Sequence, residues 1–317
     1  MRAVVFAVLV LLTGIATAAA QAPVRLAVLS PIASSEGAVR TWVLPELARA
    51  GFVEGRNLVV DFRIGSLAEF PALARAIVAE KPSAIISISG GPLGALRAET
   101  TTIPIVSAGG DPVGLGLAAS MSRPGGNVTG FVISGADLDA KRMELLGQIL
   151  GPGVPVAGML LSNYPTARLS EPMMREAAQQ GGFAPVFVTA SGPADYERAI
   201  RDVRAAGARG LVVTANPVFA RDTTLILDLA AKAGLATACE WRDMAERGCL
   251  VGYGPSRAAF YQGVGRKVAL LLRGASPAEM PIERPTLFEL VINQRTARSL
   301  GLDLPATILG RADEVFD

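Results

Sequence analysis

TTIPIVSAGGDPVGLGLAASMSRPGGNVTG, from Thr101 to Gly130, is the stretch whose reading decides the fold. Ile103 to Val106 is a short apolar run bounded by chain breakers, which predicts a fully buried strand. Gly109, Gly110 and Asp111 follow where an open α/β sheet opens its ligand crevice, just past the carboxyl end of a strand. A small-residue helix is expected from about Val113. The turn cluster Arg123-Pro124-Gly125-Gly126-Asn127 then leads into Val128, Thr129 and Gly130, near the middle of the chain. That cluster predicts a passage between lobes, so that ligand loop and hinge lie side by side.

Outward from this stretch the chain alternates. VRLAVLS (Val24–Ser30) predicts a first strand, with Pro31 to Ser35 as its loop. A helix over 36–50 puts Val39, Val43, Leu44 and Leu47 on one face and stops at Gly51. Strands are expected over 58–63 and 84–89, with a helix over 67–80 between them, and the second of these ends at Gly90-Gly91-Pro92. Beyond Gly130 a helix over 138–150 precedes a restart. Strands over 156–162, 185–190, 210–214 and 235–239 alternate with helices. Such alternation implies parallel sheets with helices on both faces. A strand over 249–253, a long helix over 257–273, a proline-rich extended stretch and a strand over 288–293 complete the pattern. No low-complexity linker interrupts it, so short ordered strands must join the lobes.

A chain of 317 residues exceeds one ordinary core, and two domains of roughly 100–150 residues are expected. Half the residues are hydrophobic and only 5% are aromatic, which suits closely packed strands and helices rather than disorder. The formal charge of +2 and the lack of a basic run argue against nucleic acid as a partner. There is no histidine. Ser-His-Asp and Cys-His nucleophile activation, His-based zinc sites and a His general base are thereby excluded. Neither a catalytic group, a metal nor a cofactor is expected.

The amino terminus carries a targeting pattern. Arg2 precedes an apolar run from Val4 to Ile15, and Ala18-Ala19-Ala20 offers a small-residue cleavage site. The run is shorter than the ~20 residues a spanning helix needs. Residues 1–20 are therefore expected to be a cleaved signal peptide, which places the mature protein in the periplasm. Cys239 and Cys249 flank a short polar helix candidate, and a disulfide or two buried thiols would both suit them.

Several fragments together resemble one family along nearly the whole mature chain. They are GFVEGRNLVVDFR (Gly51–Arg63), ETTTIPIV (Glu99–Val106), DPVGLGLAASMSRPGGNVTG (Asp111–Gly130) and KRMELL (Lys141–Leu146). VGYGPS (Val251–Ser256), LLLRGASPAEMPIERPTLFELVINQRTARSLGLDLP (Leu270–Pro305) and RADEV (Arg311–Val315) continue the match. In order and spacing these resemble the ABC transporter substrate-binding proteins of the tryptophan/tyrosine-binding-protein-like family. The resemblance implies a type I periplasmic-binding-protein fold, with two Rossmann-like lobes, parallel sheets and a three-crossing hinge that closes on a small molecule. Residues 24–129 plus 254–284 would form one lobe and 130–253 plus 285–317 the other. Hinge residues would be Val128, Thr129 and Gly130, then Gly252, Tyr253 and Gly254, with a third crossing near Pro285–Leu290. An ABC permease in the inner membrane is the implied partner, and a monomer is expected.

Elementary chemistry nominates the site. Small anions bind where backbone N–H groups at a helix start point outward, which suits Ser34, Ser35, Gly90 and Gly91. An ammonium needs a carboxylate, for which Asp111 is first and Glu240 second. On the facing lobe Asn163, Tyr164 and Asn216 end strands and Trp241 follows another, the aromatics offering a face to a ring or aliphatic tail. Plainer roles fit the same residues. Asp111 suits a helix cap, Ser34 and Ser35 suit caps, Gly90-Gly91 suits close helix packing, and Tyr164 and Trp241 suit the core. The expected function is capture of a small solute, an aromatic or branched amino acid, for an ABC importer. A sensory module and a secreted enzyme are the alternatives; no G-x-G-x-x-G after the first strand, Walker lysine motif or G-x-S-x-G elbow supports the latter.

Overall fold

The computed structural model describes residues 23–162 and 167–317; the expected signal peptide and the loop residues Asn163 and Tyr164 lie outside the described residues. The first sheet has five parallel strands in the order β2-β1-β3-β4-β5. They are β1 (Val24–Ser30), β2 (Leu58–Ile64), β3 (Ala84–Ile88), β4 (Ile105–Gly109) and β5 (Val128–Val132). β3 and β5 are buried along their whole length, as uninterrupted apolar strands covered on both faces must be. On one face Leu29, Ile85 and Ile105 pack against Phe70, Ile77 and Leu96 of the helices Phe70–Ala79 and Gly90–Glu99. On the other, Leu26, Val28 and Ile86 meet Val39 and Val43, together with Val264 and Val268 of the distant helix Arg257–Leu272. The expected helix over 36–50 is two short α-helices, Ser35–Ala38 and Leu44–Arg49, around a π-helical turn Val39–Val43.

The second sheet has seven strands in the order β12-β11-β10-β9-β8-β6-β7. They are β6 (Val156–Leu161), β7 (Pro185–Ala190), β8 (Gly210–Val213), β9 (Ala236–Cys239), β10 (Val251–Pro255), β11 (Phe288–Asn293) and β12 (Glu314–Phe316). The two-lobe α/β fold stands, with one correction to the expectation of parallel sheets. β11 runs antiparallel to β10, with Pro255 opposite Phe288. The cause is the path of the chain: β10 leaves this lobe at the end where β11 re-enters it, so the neighbours run in opposite senses.

The passages differ from those expected. β5 stays paired with β4 from Val128 to Val132, so Val128, Thr129 and Gly130 are strand residues of the first sheet. Gly252, Tyr253 and Gly254 are likewise strand residues of β10, paired with β11. The glycines belong to tight strand packing rather than to a linker. At Gly130 φ is +140°, and a Cβ there would run into the Ser107 carbonyl. The proline-rich stretch is laid along the edge of the first sheet. Val132 donates its N–H to Glu283 O (2.9 Å), Glu283 returns one to Gly130 O (3.0 Å), and Thr129 Oγ1 donates to Met280 O (2.8 Å). Buried Lys267 secures it from the long helix, donating to Pro281 O (2.7 Å) and pairing with Glu283.

Gly130→Ala is expected to destabilise the protein by at least about 2 kcal/mol, since both conformation and space forbid the methyl. Gly126→Ala, with open space around it, should stay within about 0.5 kcal/mol of the parent. Urea unfolding checks both, as midpoints at an unchanged m-value.

Candidate ligand-binding cleft

Strand ends from both sheets converge on a cavity of about 180 Å³. Pockets for drug-sized ligands span about 300–1,000 Å³, so this one suits a smaller metabolite. The first lobe contributes the loop after β1, with Ser34 and Ser35, and the turn after β3, with Ser89 and Gly90. From the second come Asn216 after β8 and Glu240 with Trp241 after β9. The start of the helix Arg257–Leu272 supplies Arg257, Phe260 and Tyr261.

The polar candidates divide by what already occupies them. Ser35 is buried, and its hydroxyl lies 2.6 Å from Ile32 O and 2.7 Å from Ser30 Oγ, bracing the loop. Asn216 is a cap: its Oδ1 accepts from Phe219 N (2.8 Å) and its amide donates to Thr214 O (3.0 Å). Ser34 is exposed and makes no side-chain cap. Ser89 is the strained residue of the wall, with φ +70° and ψ 175°. A non-glycine residue there costs on the order of 1–3 kcal/mol. It turns the chain abruptly into the ten-residue helix Gly90–Glu99, whose first N–H groups lack partners within the helix and carry its positive end.

Two nominated residues lie off the cavity. No helix forms from Val113; the segment is a series of turns, with Gly116 at φ +69°. Asp111 is exposed there, and its Oδ1 accepts the N–H groups of Val113 (3.1 Å) and Gly114 (2.9 Å). Its carboxylate closes a turn. Gly91 faces the Phe70 ring, where a Cβ would stand 3.1 Å from the ring edge, so it serves helix packing.

The charged side of the cavity comes from residues that sequence reasoning passed over. Arg257 stacks on the Trp241 ring at 4.8 Å and pairs with Asp243 at 3.1 Å. Arg247 holds the same carboxylate at 3.0 Å. Among the described residues Glu240 has no ion-pair partner. Burial pushes its carboxyl above the usual range; Arg142 and Arg257 oppose this and Asp139 adds to it. Opposite lies an apolar floor of Ile88, Ile133, Phe260 and Tyr261. Tyr261, with its hydroxyl pushed up to about 12 mainly by burial, is backed by Trp42 at 6.1 Å. One signal could have revealed this side. A helix that begins immediately after a passage between lobes must start at the gap.

Cys239 and Cys249 are joined by a disulfide, with Cα atoms 6.4 Å apart. The loop it closes carries Glu240, Trp241, Asp243 and Arg247. The bond therefore fixes both ends of the segment that bears most of the cavity's charge.

Residues 25–316 match the family described as ABC transporter substrate binding protein. The chain belongs to that family. This substrate-binding protein is 22% identical over 263 residues to the tyrosine-binding protein of Clostridioides difficile strain R20291, covering 80% of this chain and 73% of that one. Its fold is similar to that of a conserved domain protein from Vibrio cholerae, with a TM-score of 0.83 and 26% identity over 92% of this chain and 99% of the other. It is also similar to the ABC domain from Streptococcus pneumonia solved in complex with L-Trp. There the TM-score is 0.83 and the identity 19%, covering 93% and 100% of the two chains.

Replacing both cysteines (Cys239→Ala with Cys249→Ala) is expected to lower stability by about 2–3 kcal/mol under the chain-entropy account. Calorimetry of parent and variant without reductant measures this, and added reductant should bring the parent toward the variant.

Proposed function

We propose that this substrate-binding protein captures a free amino acid, aromatic by preference, outside the cytoplasm and delivers it to an ABC permease of an importer. The observation that carries this reading is the pairing of opposites across one small cavity. Gly90 begins a helix whose first N–H groups lack partners within it, which suits a carboxylate, while the Ser89 N–H is held by Ala108 O (2.9 Å). Glu240, without an ion-pair partner among the described residues, is suited to an ammonium on the other side. Trp241, Phe260 and Tyr261 offer aromatic surface to a ring between them. The tyrosine-binding relative and the L-Trp complex of a similar fold support an aromatic amino acid over a sugar.

On this reading export relies on residues 1–20, and the protein works as a monomer on a small molecule, without turnover and without nucleic acid. The lobes close about three short passages, at residues 133–134, at 256 and at 284–287, each lying between elements of different lobes. Ligand between the lobes would favour the closed arrangement by its extra contacts there.

Binding to the folded form alone adds about 2.7 kcal/mol at a hundredfold excess over Kd. L-tryptophan or L-tyrosine is therefore expected to raise Tm by several degrees in a thermal-shift panel of amino acids, amides and sugars. A panel in which sugars act and amino acids do not would replace the ligand class, and mass spectrometry of solute retained through native purification identifies the ligand directly.

A further inference from the structure

Arg142 is fully buried on the helix Gly135–Leu150, and two of its three side-chain nitrogens are occupied. Nη1 donates to Asp139 Oδ1 at 2.6 Å and Nε to the Tyr253 carbonyl at 2.8 Å. Nη2 is buried with no hydrogen-bond partner among the described residues. A buried charged donor without an acceptor is costly, so this arm needs an electrostatic counterpart. Gly254 marks where the arm lies. A Cβ on that glycine would stand 3.7 Å from Nη2 and would run into the main-chain carbonyl of Glu240. The bare glycine thus admits Arg142 and the Glu240 backbone to the same spot, behind the wall whose front carries the Glu240 side chain.

We propose that Arg142 is a positioning residue for ligand capture, its free arm acting from behind the cavity wall to keep Glu240 a carboxylate that meets the cation of the ligand. The proposal rests on the amino-acid reading for its ligand and on the geometry for the coupling. Other groups face Glu240 as well. Asp139 approaches from the same helix as Arg142, Arg257 and Tyr261 from the helix Arg257–Leu272, and Asp243 shares the loop. Arg257 is already committed to Asp243 and to the Trp241 face. Among these described groups Arg142 is the cation with a fully buried nitrogen that lacks a hydrogen-bond partner.

The sign of the pH dependence follows. Burial raises the Glu240 carboxyl, and Arg142 opposes this more strongly than Asp139 adds to it. A ligand cation is held while Glu240 is ionised, and affinity is lost as pH falls through the raised value. Removing the Arg142 charge lifts that value further, so the loss begins at higher pH.

The test has two arms, one of them independent of ligand. In protein labelled with carboxyl-13C glutamate, the Glu240 resonance is assigned by its disappearance in Glu240→Gln and titrated in parent, Arg142→Lys and the paired variant Asp139→Asn with Arg142→Met. The paired variant removes both buried charges together and so avoids stranding Asp139. Its Glu240 midpoint is expected to rise by about one pH unit, with Arg142→Lys returning toward the parent. In the second arm the affinity for L-tryptophan is followed against pH. Its acid limb should move in step, vanish in Glu240→Gln, and be missing for the des-amino analogue indole-3-propionate. An unmoved Glu240 midpoint in the paired variant overturns the proposal whatever the protein binds. A moved midpoint in a protein that binds no amino acid upholds the coupling and retires the amino-acid reading.

Discussion

Strand direction is the constraint on which the rest depends. β1, β3, β8 and β9 all run toward the gap between the lobes, so their following loops can only lie there. Each turn from such a strand into a helix also brings a helix start to the same place, with its unpaired N–H groups. The first lobe lines the cavity with a helix start, an apolar floor and Arg257. The second adds side-chain charge carried on a short tethered loop. Parallel sheets fix where the cavity lies, whatever side chains line it.

That charge has to be supported from beneath. Asp139 and Arg142 are buried, and a buried ion pair contributes little net stability against its desolvation. What the pair does is join parts. Asp139 accepts from Ser170 Oγ (2.9 Å) on the helix Ala167–Gln180 and from Ala215 N (3.0 Å) after β8, while Arg142 reaches β10. Burial pushes the Asp139 carboxyl up, against Arg142, the Ala215 N–H and Ser170. Three elements around the second half of the cavity are thereby fixed to one helix, the first that the chain forms after leaving the other lobe.

Much of this was legible in the chain itself, for physical reasons. Fully buried parallel strands must be unbroken apolar runs, so AIISI and VAGMLL announce themselves, and the restart near Val156 implies a second lobe. The gap-facing Ser34, Ser35, Gly90, Asn216, Glu240 and Trp241 followed from strand ends alone. Glycine misled at Gly130, where freedom of conformation serves a tight approach to Ser107 rather than a hinge. Asp111 misled because an acid before proline suits a helix start, while the left-handed φ of Gly116 interrupts a helix there. Asp243, Arg247 and Arg257 were unreadable because a charge in a polar helix looks the same whether it faces water or a cavity. Only the tertiary path, with a disulfide at one side and a passage at the other, turns them inward.

The helix Arg257–Leu272, late in the chain and packed on the first sheet, has a consequence for how the molecule comes to exist. The first four strands are complete by Gly109, yet one face of their sheet is finished by Phe260, Val264 and Val268. The second lobe waits in turn for β11 and β12, whose last residue is Phe316. A chain emerging from its amino end therefore cannot seal either core until nearly all of it is available. Contacts so distant along the polymer slow the search for the native state and lengthen the exposure of unfinished apolar faces. Truncation before the helix Arg257–Leu272 leaves two incomplete halves instead of one finished lobe.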